Sequence, residues 1–181
     1  MKARRILLLV TLLIATTFAA SAQSKAAPEA DLDSLYAQQL LKPGVEAPDF
    51  ILPMVNGYRV QLSELRGKYV LLDFWASWCP DCRKDIPQVK ELYAKYGQKV
   101  EFIGVSFDVD HDRWAKCVVD NGMRWKQVSE LKKMRESATA KAFGVKWIPS
   151  MTLIAPDGKV AFSTVVIGRM EQKLSEVAGQ K

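Results

Sequence analysis

Tyr69-Val70-Leu71-Leu72-Asp73-Phe74-Trp75-Ala76-Ser77-Trp78-Cys79-Pro80-Asp81-Cys82 decides the fold. Tyr69 to Trp75 is apolar at every position but Asp73. A run of that kind reads as a strand covered on both faces, as in a parallel sheet. A helix is expected from Cys79 to Tyr96. Ile86, Val89, Leu92, Tyr93 and Tyr96 form its apolar stripe, and Gly97 stops it. Val100 to Phe107 is a second apolar run and the second buried strand. Strand, helix and strand together make a βαβ unit of ordinary length.

Working outward, Asp108 to Asn121 opens with acids and one histidine and turns helical around Trp114, Cys117 and Val118. A further helix is expected over about Leu131 to Phe143, capped by Gly144. Met151–Ile154 and Val160–Val165 flank Pro156-Asp157-Gly158 and read as a hairpin. Leu174 and Val177 belong to a last helix. On the other side of the βαβ unit, Phe50–Pro53 and Tyr58–Leu62 flank Asn56-Gly57, a strong hairpin signal. Ser63 to Arg66 forms one helical turn closed by Gly67. Asp31 to Lys42 has apolar residues near helical spacing and ends at Pro43-Gly44. The pattern is hairpin, βαβ, α, then ββα, an α/β class in which helices cover both faces of a mixed sheet.

The chemistry sits at Cys79 and Cys82. The first cysteine falls at a helix N-terminus, where unpaired N–H groups and the helix dipole favour a thiolate. The thiolate is the attacking species in thiol–disulfide exchange. Cys82, one turn on, can resolve a mixed disulfide on Cys79 and leave a 79–82 disulfide. Pro80 suits the first helical position, where its missing N–H would be unpaired anyway. Asp81 suits a helix start but disfavours a neighbouring thiolate; it either makes the pair more reducing or faces solvent. Two blander readings compete. A zinc site wants four ligands, and here only Cys117 and His111 remain as further candidates. A structural disulfide closing so short a loop constrains the unfolded chain little.

Asp73 is expensive in a buried strand unless it has a task or a partner. Burial raises its pKa and fits it to exchange a proton with Cys82. The alternative is an Asp at a solvated strand edge. Trp147-Ile148-Pro149-Ser150 precedes a strand, where proline is awkward. A cis Ile148–Pro149 bond would account for it. Such a loop can face the cysteine pair and offer backbone groups of Ile148 to an extended substrate.

The chain has 181 residues, 49% apolar and 25% charged, an ordinary globular composition that excludes collagen-like, mucin-like and wholly disordered chains. Residues 1–22 read as a signal peptide. Lys2, Arg4 and Arg5 precede an apolar run from Ile6 to Ala15, and Ala20-Ser21-Ala22 is a small-residue cleavage site. The apolar run is short for a membrane span, so cleavage is favoured over an uncleaved anchor. Residues 23–43 are a flexible leader with a short helix, and 44–181 form one domain. The formal charge of +6 falls to +3 without the first 22 residues, which argues against nucleic acid as a partner. Export places the protein in a periplasm or otherwise outside the cytoplasm, where disulfides persist.

These residues together resemble the thioredoxin superfamily in its exported TlpA/ResA-like branch, with AhpC/TSA-like relatives. The matching segments are Pro48-Asp49-Phe50, Leu62 to Lys68, Leu72 to Cys82, Gly144-Val145 with Ile148-Pro149, and Ala155 to Lys159. The resemblance implies a thioredoxin-like three-layer fold with an added N-terminal hairpin and an inserted helix. It implies that Cys79 is the nucleophile, that Cys82 resolves, and that Pro149 is cis beside them. Asp73 falls on the buried acid of thioredoxins, although some ResA-like relatives keep their functional acid elsewhere. The Pro80-Asp81 pair departs from the thioredoxin Gly-Pro, which bears on redox poise and leaves the chemistry intact. Trp78, Pro80, Asp81, Ile148 and Pro149 are the expected substrate-contacting positions. No cofactor beyond the Cys79–Cys82 disulfide and no metal is expected. Partners implied are client proteins with cysteine pairs, a membrane thiol electron donor, and apocytochrome c as one client at family level.

Two other functions stand beside this reading. A peroxidase of the peroxiredoxin-like type would place Thr or Ser three residues before the attacking cysteine and a proline upstream; Ala76 and Phe74 occupy the nearby positions. A metal- or haem-handling protein would use the CxxC as ligands but lacks a second pair. Cys117 reads as a buried structural thiol, and His111 as a solvated residue. Trp75, Trp114, Trp125 and Trp147 read as packing residues.

Overall fold

The computed structural model describes residues 31–179. The expected signal at 1–22 and leader at 23–30 lie outside the described residues. The elements in chain order are α1 (Leu32–Tyr36), β1 (Ile51–Pro53), β2 (Arg59–Gln61), a 3-10 turn (Leu62–Leu65), β3 (Tyr69–Trp75), α2 (Pro80–Tyr96), β4 (Val100–Ser106), α3 (His111–Asp120), β5 (Lys126–Ser129), α4 (Ala138–Ala142), β6 (Ser150–Ile154), β7 (Val160–Thr164) and α5 (Ile167–Gly179). β1 and β2 form a separate antiparallel hairpin, and the other five strands make one sheet in the order β5-β4-β3-β6-β7. β3 runs parallel to β4 and antiparallel to β6, so the sheet is mixed.

The apolar run that opens the sequence argument takes the centre of that sheet. Leu71, Leu72 and Phe74 are wholly buried, and Val70 and Trp75 nearly so. Side chains alternate across a strand, and the two faces of β3 meet different partners. Phe74 stacks towards Phe107 and Phe143, with ring centres 6.1 and 5.6 Å away. On the opposite face lie Leu71, Asp73 and Trp75. Phe102, level with Leu71 on β4, points the same way and meets Tyr93 of α2 at 5.5 Å. The helix buries Cys82, Ile86, Val89, Leu92 and Tyr96 against this face. These residues follow the three-and-four spacing of a single helical stripe. α5 packs beside α2.

The structure departs from the sequence expectation in three elements. α1 stops at Tyr36 instead of running to Lys42. β5 was not expected at all. The helix expected over Leu131 to Phe143 shrinks to the five residues of α4. Leu131 adopts a left-handed φ of 52°, which ends any helix there. The Glu130 carboxylate then accepts N–H bonds from Ala138 and Thr139 and a hydroxyl bond from Ser137. These contacts hold residues 130–137 as a loop and start the helix only at Ala138. Gly144 follows it with φ of +69°, and a Cβ there would lie 1.8 Å from the Gln39 carbonyl oxygen. Glycine thus lets the segment after α1 pass against the end of α4.

Candidate active site

Cys79 is the N-cap of α2, in extended backbone, and Pro80 takes the first helical position. The Cys79 sulfur accepts the backbone N–H of Cys82 at 3.1 Å. One of the four N–H groups that a helix leaves unpaired at its start is therefore aimed at this sulfur. The two cysteines form a disulfide with their Cα atoms 5.3 Å apart. Both are nearly closed to solvent, at 5% and 3% exposure. A first-turn N–H and the positive helix end favour a thiolate on Cys79 once the pair is reduced.

Two loops frame the pair. The Ile148–Pro149 peptide is cis, and the Ile148 carbonyl oxygen lies 3.8 Å from the Cys79 sulfur. On the other side, buried Asp108 accepts both the backbone N–H and the hydroxyl of Ser77, and the hydroxyl of Ser106. That carboxylate ties the loop before Trp78 to the end of β4. Trp78 itself is 58% exposed. Asp81 is exposed and pairs with Lys84 at 2.9 Å.

Asp73 is 5% exposed, which rules out the solvated strand edge. Burial pushes its carboxyl up to about 7, and the charge of Asp85 pushes the same way. Asp85 was not singled out from the sequence. It lies in the second turn of α2, three residues after Cys82, and is itself raised by burial and by Asp81, against Lys84. Helical spacing puts it on the side of Cys82, a signal that the sequence carried and that its polarity disguised as a solvated helix face. Asp85 also lines a groove of about 440 Å3 that runs past Asp81, Trp147 and Pro149 to α1.

Trp75, Trp114 and Trp125 are core residues. Trp147 is not; it is 44% exposed, and its ring stacks on Tyr36 with centres 4.4 Å apart. Its neighbour Ile148, in the same turn, is buried. Cys117 is half-buried, not fully buried as expected. It lines a second cleft of about 520 Å3 beside Trp78 and Arg83. Burial and nearby Asp108 raise its thiol pKa, which leaves it a poor nucleophile. His111 is partly exposed, and its Nε2 lies 3.1 Å from the Val55 carbonyl oxygen. Among the described residues, no three His, Cys, Asp or Glu side chains are grouped to hold a metal ion.

A cysteine pair at the start of α2, beside a cis-proline loop on a thioredoxin-like sheet, defines a thiol–disulfide oxidoreductase. Residues 43–163 match the AhpC/TSA family model, and the chain belongs to that family, with ResA-type thiol–disulfide oxidoreductases among its relatives. It is 32% identical to the thiol-disulfide oxidoreductase ResA of Bacillus thuringiensis over 68% of this chain and 69% of that one. It is 30% identical to ResA of Bacillus subtilis over 76% and 74% of the two chains. A solved thiol-disulfide oxidoreductase from Bacteroides fragilis superposes with a TM-score of 0.68 at 30% identity, covering 73% of this chain and 98% of that one.

Proposed function

We propose that the chain is exported and reduces disulfides of extracytoplasmic proteins, with Cys79 as nucleophile, Cys82 as resolving thiol and Asp73 as the proton acceptor of Cys82. The observation that carries this reading is the Cys79 sulfur, held at a helix start by the Cys82 N–H and next to the Ile148 carbonyl. The Cys79 thiolate attacks one sulfur of a client disulfide. A Cys79–client bond forms and the client's other sulfur leaves as a thiolate. Cys82 passes its proton to Asp73 and attacks the Cys79 sulfur. The client's second sulfur leaves, two electrons have moved to the client, and the 79–82 disulfide remains. A membrane thiol donor returns the pair to its reduced form. The reaction needs no cofactor beyond the pair.

Trp78, Pro80, Asp81, Ile148 and Pro149 contact the client in this reading. Suitable clients are chains with exposed cysteine pairs, of which apocytochrome c is one. Export rests on the basic start, apolar run and Ala20-Ser21-Ala22 of residues 1–22, with 44–181 as the working domain. Among the described residues, no helix is long and apolar enough to cross a membrane.

The test is the reduction potential of the 79–82 pair, together with dithiothreitol-driven reduction of a disulfide-bonded test protein. A potential near about −270 mV supports the reducing direction, and one near about −120 mV reverses it. Activity that survives Cys79→Ala unchanged would overturn the reading.

A further inference from the structure

Helix α1 is an anomaly of the fold. It has five residues and none of them is buried. A helix of that length has no stability of its own in water, and this one adds nothing to the core. Yet it is fastened in place at several points. The Asp33 carboxylate accepts the Thr164 hydroxyl at 2.8 Å, the Val165 N–H at 2.7 Å and the Arg169 Nη1 at 2.7 Å. Arg169 also reaches Asp31 at 2.9 Å. The side chain of Asp33 is only 17% exposed and that of Arg169 45%, so these charge-assisted bonds are sheltered at the carboxylate and open to solvent at the guanidinium.

What this latch secures is a wall. Leu32 and Tyr36 each remain 38% exposed and face the groove that Trp147 and Pro149 line. Tyr36 lies on Trp147 at 25° between ring planes, which steadies the indole in a partly solvated position. The groove is continuous with the redox site. Pro149 belongs to both, and the carbonyl of the intervening Ile148 is the group next to the Cys79 sulfur. Its far rim carries Asp81, Lys84 and Asp85. Lys84 is engaged by Asp81, and Asp85 has no ion-pair partner among the described residues, so the rim is net negative.

We infer that the α1 wall, held by the Asp33 latch, is a specificity element that takes a large apolar side chain of the client close to its reacting cysteine. This rests on the oxidoreductase reading above. The occupant is an extended, cysteine-bearing client segment with an aromatic or aliphatic residue and a neighbouring basic one. The apolar wall selects the first and the acidic rim the second. An extended chain advances about 3.4 Å per residue and repeats its face every second residue. A client side chain two positions from the reacting sulfur therefore shares its face, and Pro149 carries the groove on from the turn beside Cys79. Asp33 is a positioning residue: it acts through Tyr36 and Trp147 and touches no reacting atom.

The test uses the full exported domain and two short Ser/Gly peptides carrying Arg. One has Trp two positions from a serine that replaces the cysteine; the other has Ser at both places. Calorimetric binding is compared for wild type, Asp33→Ala and Tyr36→Ala, with thermal unfolding as the fold control. Wild type is expected to bind the Trp peptide about tenfold more tightly than the Ser peptide, and both variants to lose that margin. With the disulfide versions of the same peptides, Asp33→Ala raises KM for the Trp form about tenfold and leaves kcat within about twofold. Equal binding of the two peptides by wild type overturns the inference. So does a margin that persists in the variants. A wild-type dimer abolished by Tyr36→Ala also overturns it, since a second copy would then cover the groove. Binding preference without any disulfide exchange would instead sink the oxidoreductase reading and leave the groove assignment standing.

Discussion

The Cys79 sulfur and the Ile148 carbonyl oxygen lie 3.8 Å apart although 69 positions separate them in the chain. The sheet makes that meeting: α2 starts where β3 ends, and the cis-proline turn precedes β6, the antiparallel neighbour of β3.

Cys79 and Cys82 are expected to fail in different ways. Cys79→Ser abolishes reduction of a test disulfide, by about a thousandfold or more. Cys82→Ser leaves the attack intact but removes the resolving thiol, so a covalent client adduct accumulates. Nonreducing electrophoresis and intact-mass measurement distinguish the two. An adduct on Cys82 in the Cys79→Ser variant would reverse the assigned roles.

Asp73 gives a pH signature in rate. Its carboxyl is pushed up to about 7, first by burial and then by Asp85. Resolution of the mixed disulfide should rise with pH through that value as the carboxylate becomes free to accept a proton. Asp73→Asn should slow resolution about a hundredfold and flatten the profile. Stopped-flow mixed-disulfide decay from pH 5 to 9 measures both.

The same residue gives a pH signature in stability. The folded state holds the Asp73 proton more tightly than the unfolded chain, so its contribution is full below about pH 4 and is lost as pH rises through about 7. Asp73→Asn should therefore melt higher than wild type at pH 8, and the gap should narrow at pH 4. Paired thermal melts at the two pH values decide it.

Glu130 works in the opposite sense. Partial burial raises its pKa, but the bonds from Ser137, Thr139 and Ala138 outweigh that and hold it at about 2. Its stabilisation is complete above about pH 4.5 and drains away as pH falls towards 2. Glu130→Gln keeps one acceptor oxygen and loses the bond from Ala138 N–H. A loss of about 1 kcal/mol at pH 7 is expected in urea unfolding, and the variant's acid transition should be shallower.

Gly104 has no room for a methyl group. A Cβ there would lie 2.2 Å from Gln127 Oε1, the atom that accepts the Trp75 indole N–H at 3.0 Å. Gly104→Ala should displace Gln127, free the Trp75 donor inside the core, and destabilise by about 1–3 kcal/mol. Denaturant unfolding gives the loss, and tryptophan emission reports the changed indole.

The βαβ core was legible because Tyr69–Trp75 and Val100–Phe107 are long apolar runs, and burial is what their residues demand. β5 was not. Of Lys126, Gln127, Val128 and Ser129 only Val128 is apolar, and the strand is held by polar partners that a sequence does not display. Gln127 meets Trp75, and Ser129 bonds the Ser106 carbonyl. Glu130's capture of distant N–H groups leaves no periodic trace, so the sequence over Leu131 to Phe143 still has the pattern of a helix. Cys79, Cys82, Asp73 and Pro149 stood out as residues out of place in their surroundings. Asp85 and Trp147 did not, since an acid on a helix and a tryptophan near a strand look ordinary until their neighbours are known.

The Asp108 staple across Ser77 and Ser106 has one more effect. It fixes the backbone leading into the cysteine pair to the end of β4, and those anchors contain no sulfur. Opening the disulfide therefore breaks none of these three hydrogen bonds. The path of the chain into Trp78 is thus set by oxygen and nitrogen partners alone, whichever way the two sulfurs are bonded.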